Sequence, residues 1–344
     1  MLAVASAPAA AICLLTPTAA WWFPGELACH WGMHAAFGLI PVMIVWREQR
    51  AVAALLLSLM TIGCWPLLLA AWEPRAPLPS SGQKQIRIAS ANLNVYNDKA
   101  LRTSAVMSVL GQQPDIFALA ETISSSDRFS IPLDVYPHQI WQPQLHRKWH
   151  DCVALISKFP IVHSVIHDLE SEPYIEATLD VDGQRLHVMV VHTLSPWNPS
   201  NWRERDLQLK DIGALVTDLV QRDPAPVLLM GDWNLSVASP AWTTLRQTAG
   251  ITRVSQHEPA TWRSELGPFG ITIDHLMTRG LALGHQQAFT IPGSDHRGLS
   301  GTFAFVADMA SSSSPPPGTA ELQLGPENLK SLIIQPERQG PQRQ

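Results

Sequence analysis

Two hydrophobic regimes meet near residue 84. Up to residue 72 apolar positions run almost unbroken; beyond it they come in short bursts separated by polar segments. The first regime divides into three runs, at about 4–23, 27–46 and 51–72. Each approaches the roughly 20 residues that cross a bilayer core, so the pattern predicts three transmembrane helices. Trp21, Trp22, Trp31, Trp46 and Trp72 sit near the run ends, where an aromatic belt is expected. Before residue 84 the only charged residues are Glu26, Arg47, Glu48, Arg50, Glu73 and Arg75. A helical hairpin buried in a soluble core is disfavoured, because three charge-free runs in succession present too much apolar surface for it. A cleaved signal peptide is disfavoured because the first run lacks a basic flank.

The connections between the runs set an expected orientation. "REQR" (47–50) is the basic loop, whereas "PGEL" (24–27) carries an acid. The positive-inside bias places Arg47 and Arg50 in the cytoplasm and everything after residue 72 outside it. The expected location is therefore the inner (plasma) membrane, multi-pass, with an extracytoplasmic domain. Residues 73–85, rich in Pro, Ser and Gly, read as a linker. Residues 307–344 follow a Ser-Pro run, are poor in core formers and read as a disordered tail. What remains, 86–306, is one soluble domain. Four cysteines, at 13, 29, 64 and 152, show no paired spacing, so neither a disulfide framework nor a zinc cluster is indicated.

Within 86–306 the bursts share one habit: apolar strands close on Asn, Asp, Glu or His. "IRIASANLN" (86–94) delivers Asn92 and Asn94, and "DIFALAET" (115–122) ends on Glu121. "RLHVMVVHTLSP" (185–196) ends at His192, and "PVLLMGDWN" at Asp232 and Asn234. "GITIDHLMT" (270–278) carries Asp274 and His275, and "IPGSDHRG" places Asp295 and His296 before a last strand. Taken singly each has a bland reading, since Asn and Asp make turns and a lone His is often a satisfied core residue. Six such endings, all of metal-ligand or acid–base type, point instead to strand ends holding a polar site. Helical patterns intervene at 98–113 and 201–223, and Asp182-Gly183 reads as a hairpin turn. The alternation is irregular, which implies mixed rather than purely parallel sheets.

The ordered set Asn92, Glu121 in "ALAET", "CVALISKFPI", "VVHTLSP", "GDWN", "IDHLM" and "SDHRG" resembles the endonuclease/exonuclease/phosphatase superfamily across nearly all of 86–306. The resemblance implies an α+β fold, a four-layer α/β/β/α sandwich of two mixed sheets with the site at one end. It also implies Mg²⁺ or Mn²⁺ as cofactor, with Glu121 the principal ligand and Asn92 and Asp295 contributing. Asp232 and Asn234 are expected to orient the attacking water and the phosphate. His296, held by Asp274, corresponds to the family's catalytic histidine, and His192 to a second one found in its nuclease and lipid-phosphoesterase branches. Substrate contacts are expected from Asn94, from His150 in "HRKWH" (146–150) and from Arg203 at a helix start. His275 is expected to point away from Asp274. Trp197 and Trp202 suit either lipid contact or core packing.

Charge narrows the substrate. The chain carries a net −5, and acids outnumber bases 22 to 17 within 86–306, with no basic stripe. Duplex DNA binding draws on such stripes, so nucleic acid is the less favoured partner. The apolar N-terminal region adds that the bilayer itself is a partner and a membrane lipid the expected substrate; no protein partner is indicated. The layout is similar to teicoplanin-resistance-type membrane phosphatases, which implies a lipid-linked phosphate or pyrophosphate. An extracytoplasmic nuclease or nucleotide phosphodiesterase on the same scaffold, and a non-catalytic membrane binding module, are the alternatives.

Overall fold

In the computed structural model the described residues are 6–123, 127–142, 152–167, 174–253 and 258–306. The region read as a tail and the "HRKWH" loop with His150 lie outside them.

Short, doubly apolar strands build the centre. Among the described residues two six-stranded sheets form, in the orders β11-β12-β1-β2-β4-β3 and β5-β6-β7-β8-β10-β9. The first uses β1 (Ile86–Asn92), β2 (Ile116–Ala120), β3 (His138–Trp141), β4 (Ala154–Ser157), β11 (Leu281–Thr290) and β12 (Arg297–Phe305). The second uses β5 (Ile161–His167), β6 (Tyr174–Val181), β7 (Gln184–His192), β8 (Val227–Asp232), β9 (Thr252–Arg253) and β10 (Asp274–Arg279). β1 with β2 and β7 with β8 are parallel pairs; the other pairings are antiparallel, so both sheets are mixed.

Side-chain alternation explains why these strands read as unbroken apolar runs. In β8, Leu228 and Met230 face the other sheet and join Ile88, Ala118 and Val188 in the central core. Val227 and Leu229 face outward and meet Leu209, Ile212 and Val216 of a helix spanning Pro199–Arg222. On the opposite outer face, Ala89, Phe117 and Leu119 pack under Ala105, Val106 and Val109 of the helix Lys99–Gly111. The result is the α+β sandwich expected from the sequence. Asp182 and Gly183 both take positive φ (54° and 85°) and close the β6–β7 hairpin.

The N-terminal region corrects the expectation of three helices at 4–23, 27–46 and 51–72. Among the described residues only Arg50–Ala71, 22 residues, is a continuous helix long and apolar enough to cross a bilayer core. The first run holds a helix at Ala7–Leu15 and a short 3₁₀ turn at Thr16–Thr18. The second is divided into Phe23–Cys29, Gly32–Gly38 and Ile40–Val45, with a 66° bend between Phe23–Cys29 and Gly32–Val45. Apolar composition sums over a run and is blind to such breaks. Pro17, Pro24 and Pro41 each lack the N–H that would continue the preceding helix, and each stands at the start of a new segment. Gly32 and Gly63 let two segments approach closely: a Cβ at Gly63 would lie 2.7 Å from Cys13 Sγ and from the Gly32 carbonyl.

The stretch 73–85 lacks regular structure but lies against the domain. Glu73 accepts from Trp242 Nε1 at 3.0 Å and pairs with Arg246 (3.3 Å) and Arg253 (3.4 Å). Arg253 Nη2 also donates to the Ala70 carbonyl at 2.7 Å, satisfying an open carbonyl at the end of the long helix. Further along, the Pro77 carbonyl accepts from Leu283 N at 2.8 Å. The long helix is thus fixed to the sandwich through partly buried ion pairs.

Candidate active site

Strand register brings the polar strand ends together. In the parallel β7–β8 pair His192 stands opposite Asp232, and on the other side of β8 Asp232 stands opposite Asp274 of β10. In the first sheet Asn92 stands opposite Ala120, the residue before Glu121. Asn92 Nδ2 bridges the two sheets, donating to Glu121 Oε1 (2.8 Å) and Asp232 Oδ2 (3.0 Å). The turn before β12 is tied to β1: Ser294 Oγ donates to the Asn92 carbonyl at 2.8 Å and accepts from His296 N at 3.0 Å. His296 Nδ1 lies 2.9 Å from Asp274 Oδ2, and its Nε2 lies 3.6 Å from Asp232 Oδ2. β8 runs into "GDWN" because its end is the rim of this site.

Glu121 is held from all sides. Its φ of 52° is a left-handed conformation that a glutamate rarely adopts. Asn92 and the Val95 amide (3.0 Å) fix its two oxygens, and Arg102 Nη2 fixes its carbonyl at 2.8 Å. Arg102 is itself buried, paired with Asp127, and donates to the Asn94 carbonyl at 2.9 Å. Asn94 (φ 55°) and Asn234 (φ 45°) are also left-handed, so three strained residues surround one point. Asn234 N donates to Asp232 Oδ1 at 3.0 Å, and Asn234 Nδ2 to the Thr193 carbonyl at 2.8 Å.

Electrostatics at this point call for cations. Two carboxylates, Glu121 and Asp232, share one amide donor. Their oxygens and His192 Nε2 lie within 4.8 Å of one another, with His192 at 3.9 Å from Glu121 and 3.7 Å from Asp232. Buried acids at such spacing are stabilised by a metal ion or protons. The donors are hard oxygens plus one imidazole, the chemistry that suits Mg²⁺ or Mn²⁺. His192 Nδ1 is buried with no hydrogen-bond partner among the described residues. Burial raises the Asp232 carboxyl above its usual range, with the charge of His296 opposing. For His296, burial disfavours the cation, but Asp274 and Asp232 outweigh it and raise the imidazole to about 10. Two acids flanking one imidazole hold the shared proton more tightly than an isolated ring does. His296 is therefore a charged donor at neutral pH, fixed by Asp274.

A cavity of about 820 Å³ opens over these groups. Asn94, Glu121, His192, Asp232, Asn234, Asp295 and His296 line it, with Asn92 and Asp274 hydrogen-bonded behind them. Asp295 stands exposed at the rim, its Oδ2 accepting from Trp262 Nε1 at 3.0 Å. Arg203 is not brought in; it is exposed and does not line the cavity. The buried face of its helix runs through Trp202, Arg205, Leu209, Ile212 and Val216, and Arg203 falls outside that stripe. Trp202 packs against Phe23 (6.1 Å between rings), whereas Trp197 lines the cavity and is exposed. His275 is buried with Nε2 2.7 Å from the Leu235 carbonyl, away from the site. Sequence reading missed Arg102, which holds Glu121, and of Arg203 and Arg205 at the helix start it chose Arg203, whereas Arg205 is the one that holds Asn234. It also missed that Leu27, His30 and Trp31 of the apolar N-terminal region form part of the cavity wall. An arginine inside an amphipathic helix at an apolar-face position is the one signal that marked Arg102 and Arg205.

Converging acids and amides with an Asp-held histidine, on a sandwich of two mixed sheets, define a hydrolase of phosphoesters. The family model described as "Endonuclease/Exonuclease/phosphatase family" matches residues 89–296, and the chain belongs to that family. Three solved structures share the fold. The human nocturnin catalytic domain with bound sulfate is 19% identical, covering 64% of this chain and 95% of its own, with a TM-score of 0.54. TDP2 from D. rerio complexed with single strand DNA product is 20% identical, covering 64% and 99%, with a TM-score of 0.51. An endonuclease/exonuclease/phosphatase from Beutenbergia cavernae is 14% identical, covering 65% and 72%, with a TM-score of 0.52. No curated protein matches the chain.

Proposed function

We propose that the protein is a membrane-anchored, divalent-metal-dependent phosphoesterase acting on a lipid-linked phosphate or pyrophosphate at the outer face of the membrane, similar to teicoplanin-resistance-type phosphatases. One observation carries this reading: the site's cavity has two unlike walls. One is the acid–amide–histidine pole. The other is apolar, with Leu27 and Trp31 of the N-terminal region beside Leu194, Trp197 and Ile271 of the domain. Such a cavity suits a phosphate joined to a hydrocarbon, with the charged end at the acids and the chain along the tryptophans. The long helix Arg50–Ala71 supports anchoring, since Leu55, Leu57, Trp65, Leu68 and Leu69 are exposed on it. A helix apolar on its open face suits lipid rather than water.

Glu121 and Asp232, the acids whose oxygens converge beside His192, would hold Mg²⁺ or Mn²⁺, which when bound neutralises phosphoryl oxygens and acidifies water; Asn92, its Nδ2 donating to both acids, holds them in place, and Asp295 stands at the rim. The chain's own groups do the rest. Asp232 and Asn234 orient the water and the phosphate. Charged His296 donates from Nε2 to a phosphoryl or leaving oxygen while Asp274 keeps Nδ1–H directed. His192, on the opposite side of Asp232, contacts phosphate.

The test offers purified protein in detergent three substrates with Mg²⁺: a polyprenyl pyrophosphate, plasmid DNA and a generic phosphodiester. Phosphate release from the lipid, abolished by EDTA, is the expected result. Cutting of DNA without lipid turnover would establish the nuclease reading, and turnover of nothing would leave a binding module. Sidedness is tested separately. A reporter active only outside the cytoplasm, fused after Arg75, is expected to be active; a silent fusion reverses the orientation drawn from Arg47 and Arg50.

A further inference from the structure

Glu26 is the lone charge in the first 46 residues, and it lies well before the family match at 89–296. A carboxylate in so apolar a segment is retained at a cost unless it is partnered. It is 1% exposed, and apart from Cys29 and His30 of its own segment its partners come from the domain. Arg205 Nη2 lies 2.6 Å from Glu26 Oε1, and Ser239 Oγ donates to the two oxygens at 2.8 and 3.0 Å. His30 Nε2, one turn on, lies 3.5 Å away.

Arg205, 0% exposed, faces the site with its other nitrogen: Nη1 donates to the Asn234 carbonyl at 2.9 Å. Asn234 N in turn holds Asp232 Oδ1. Three links therefore join the N-terminal segment to an acid of the site. His30 adds a second grip on the same loop, with Nδ1 2.6 Å from Ser236 Oγ. Asn234 needs holding, because its left-handed backbone is strained. Asp206 also accepts from Arg205 Nη2, at 2.7 Å. Without the Glu26 charge, Asp206, which accepts from Nε at 3.1 Å as well as from Nη2, is the remaining acid on the guanidinium, and a weaker hold of Nη1 on Asn234 is the expected consequence.

We infer that Glu26 is a positioning residue of the active site: through Arg205 it sets the loop at residues 232–236, so that the N-terminal apolar segment is a working part of the hydrolase rather than a tether. The inference rests on the hydrolase reading of the site and not on which phosphoester is cleaved.

The experiment uses the full chain in detergent, with bis(p-nitrophenyl) phosphate and Mn²⁺, and compares wild type with E26Q, E26D and R205K. Glutamine keeps the shape of Glu26, and Arg205 retains Asp206, so the variant is built to fold. Loss of kcat by about 10-fold or more with KM within about twofold is expected for E26Q and R205K, with E26D restoring most of it. Amide hydrogen exchange, read by mass spectrometry, is expected to rise at 232–239 and stay unchanged at 227–231. Wild-type kcat and exchange in E26Q overturn the proposal. So does a rise in KM alone, which would make Glu26 a shaper of the cavity, or a rise in exchange across the whole domain, which would make it a general stabiliser. If wild type turns over neither the phosphodiester nor a polyprenyl pyrophosphate, the hydrolase reading fails, and the exchange pattern still decides the coupling.

Discussion

Glu121→Gln is expected to abolish metal-dependent phosphoester hydrolysis, lowering kcat by about 10³-fold, while leaving the sandwich folded. The substitution is isosteric, so no cavity opens. It removes the charge on which the site converges and introduces an NH₂ where both neighbours, Asn92 Nδ2 and Val95 N, are donors. One donor then faces a donor, at a stability cost of about 1–3 kcal/mol. The decisive readings are turnover of a soluble phosphodiester and Mn²⁺ affinity by electron paramagnetic resonance. A Glu121→Gln protein that keeps both would show that the acids gather for another purpose.

Gly231→Ala is expected to be the most damaging single methyl in the domain. Gly231 stands opposite Val191 in the β7–β8 pair, between the strand interior and Asp232. A Cβ there would lie 1.8 Å from the Val191 carbonyl oxygen and 2.9 Å from its carbon, backbone atoms that have no rotamer to escape into. Its φ of 139° is besides a conformation open to glycine and closed to alanine. Relief would require parting two central parallel strands, and with them His192 and Asp232. Destabilisation of about 4 kcal/mol or more follows, seen as loss of soluble, detergent-extractable protein or a collapse of Tm. An alanine variant with a wild-type melting curve would mean that the close strand approach is absent in solution.

The "GDWN" run thus carries two kinds of information, and only one was legible as sequence. That apolar strands close on polar residues shows in a window of ten positions, because alternation and composition are local. From that came the mixed sheets, the Asp182-Gly183 hairpin and the set Asn92, Glu121, His192, Asp232, Asn234, Asp274, Asp295 and His296, which the structure gathers around one cavity; the sandwich itself was implied by the family resemblance. That Gly231 must lack a side chain is a different matter, since the reason lies on the neighbouring strand, 40 residues earlier.

The misplaced expectations have the same origin. Arg203 and Arg205 are two residues apart on one helix, and only the direction of the buried stripe, set by what the helix packs on, separates the exposed one from the buried one. Three apolar runs suggested three equal helices, because hydropathy adds residues without regard to order. Prolines at 17, 24 and 41 and the folding of Phe23–Cys29 against the domain divided them differently. Glu26 read as a loop acid because its partner lies 179 residues away. By itself, then, the sequence determined which strands are buried on both faces, which residue types end them and where apolar chain gives way to a polar domain. Tertiary structure decided which single charges meet, which faces turn inward and that the apolar segment closes the catalytic cavity. Those depend on surfaces brought together across the chain, where a pairing of two ions leaves no periodic trace along it.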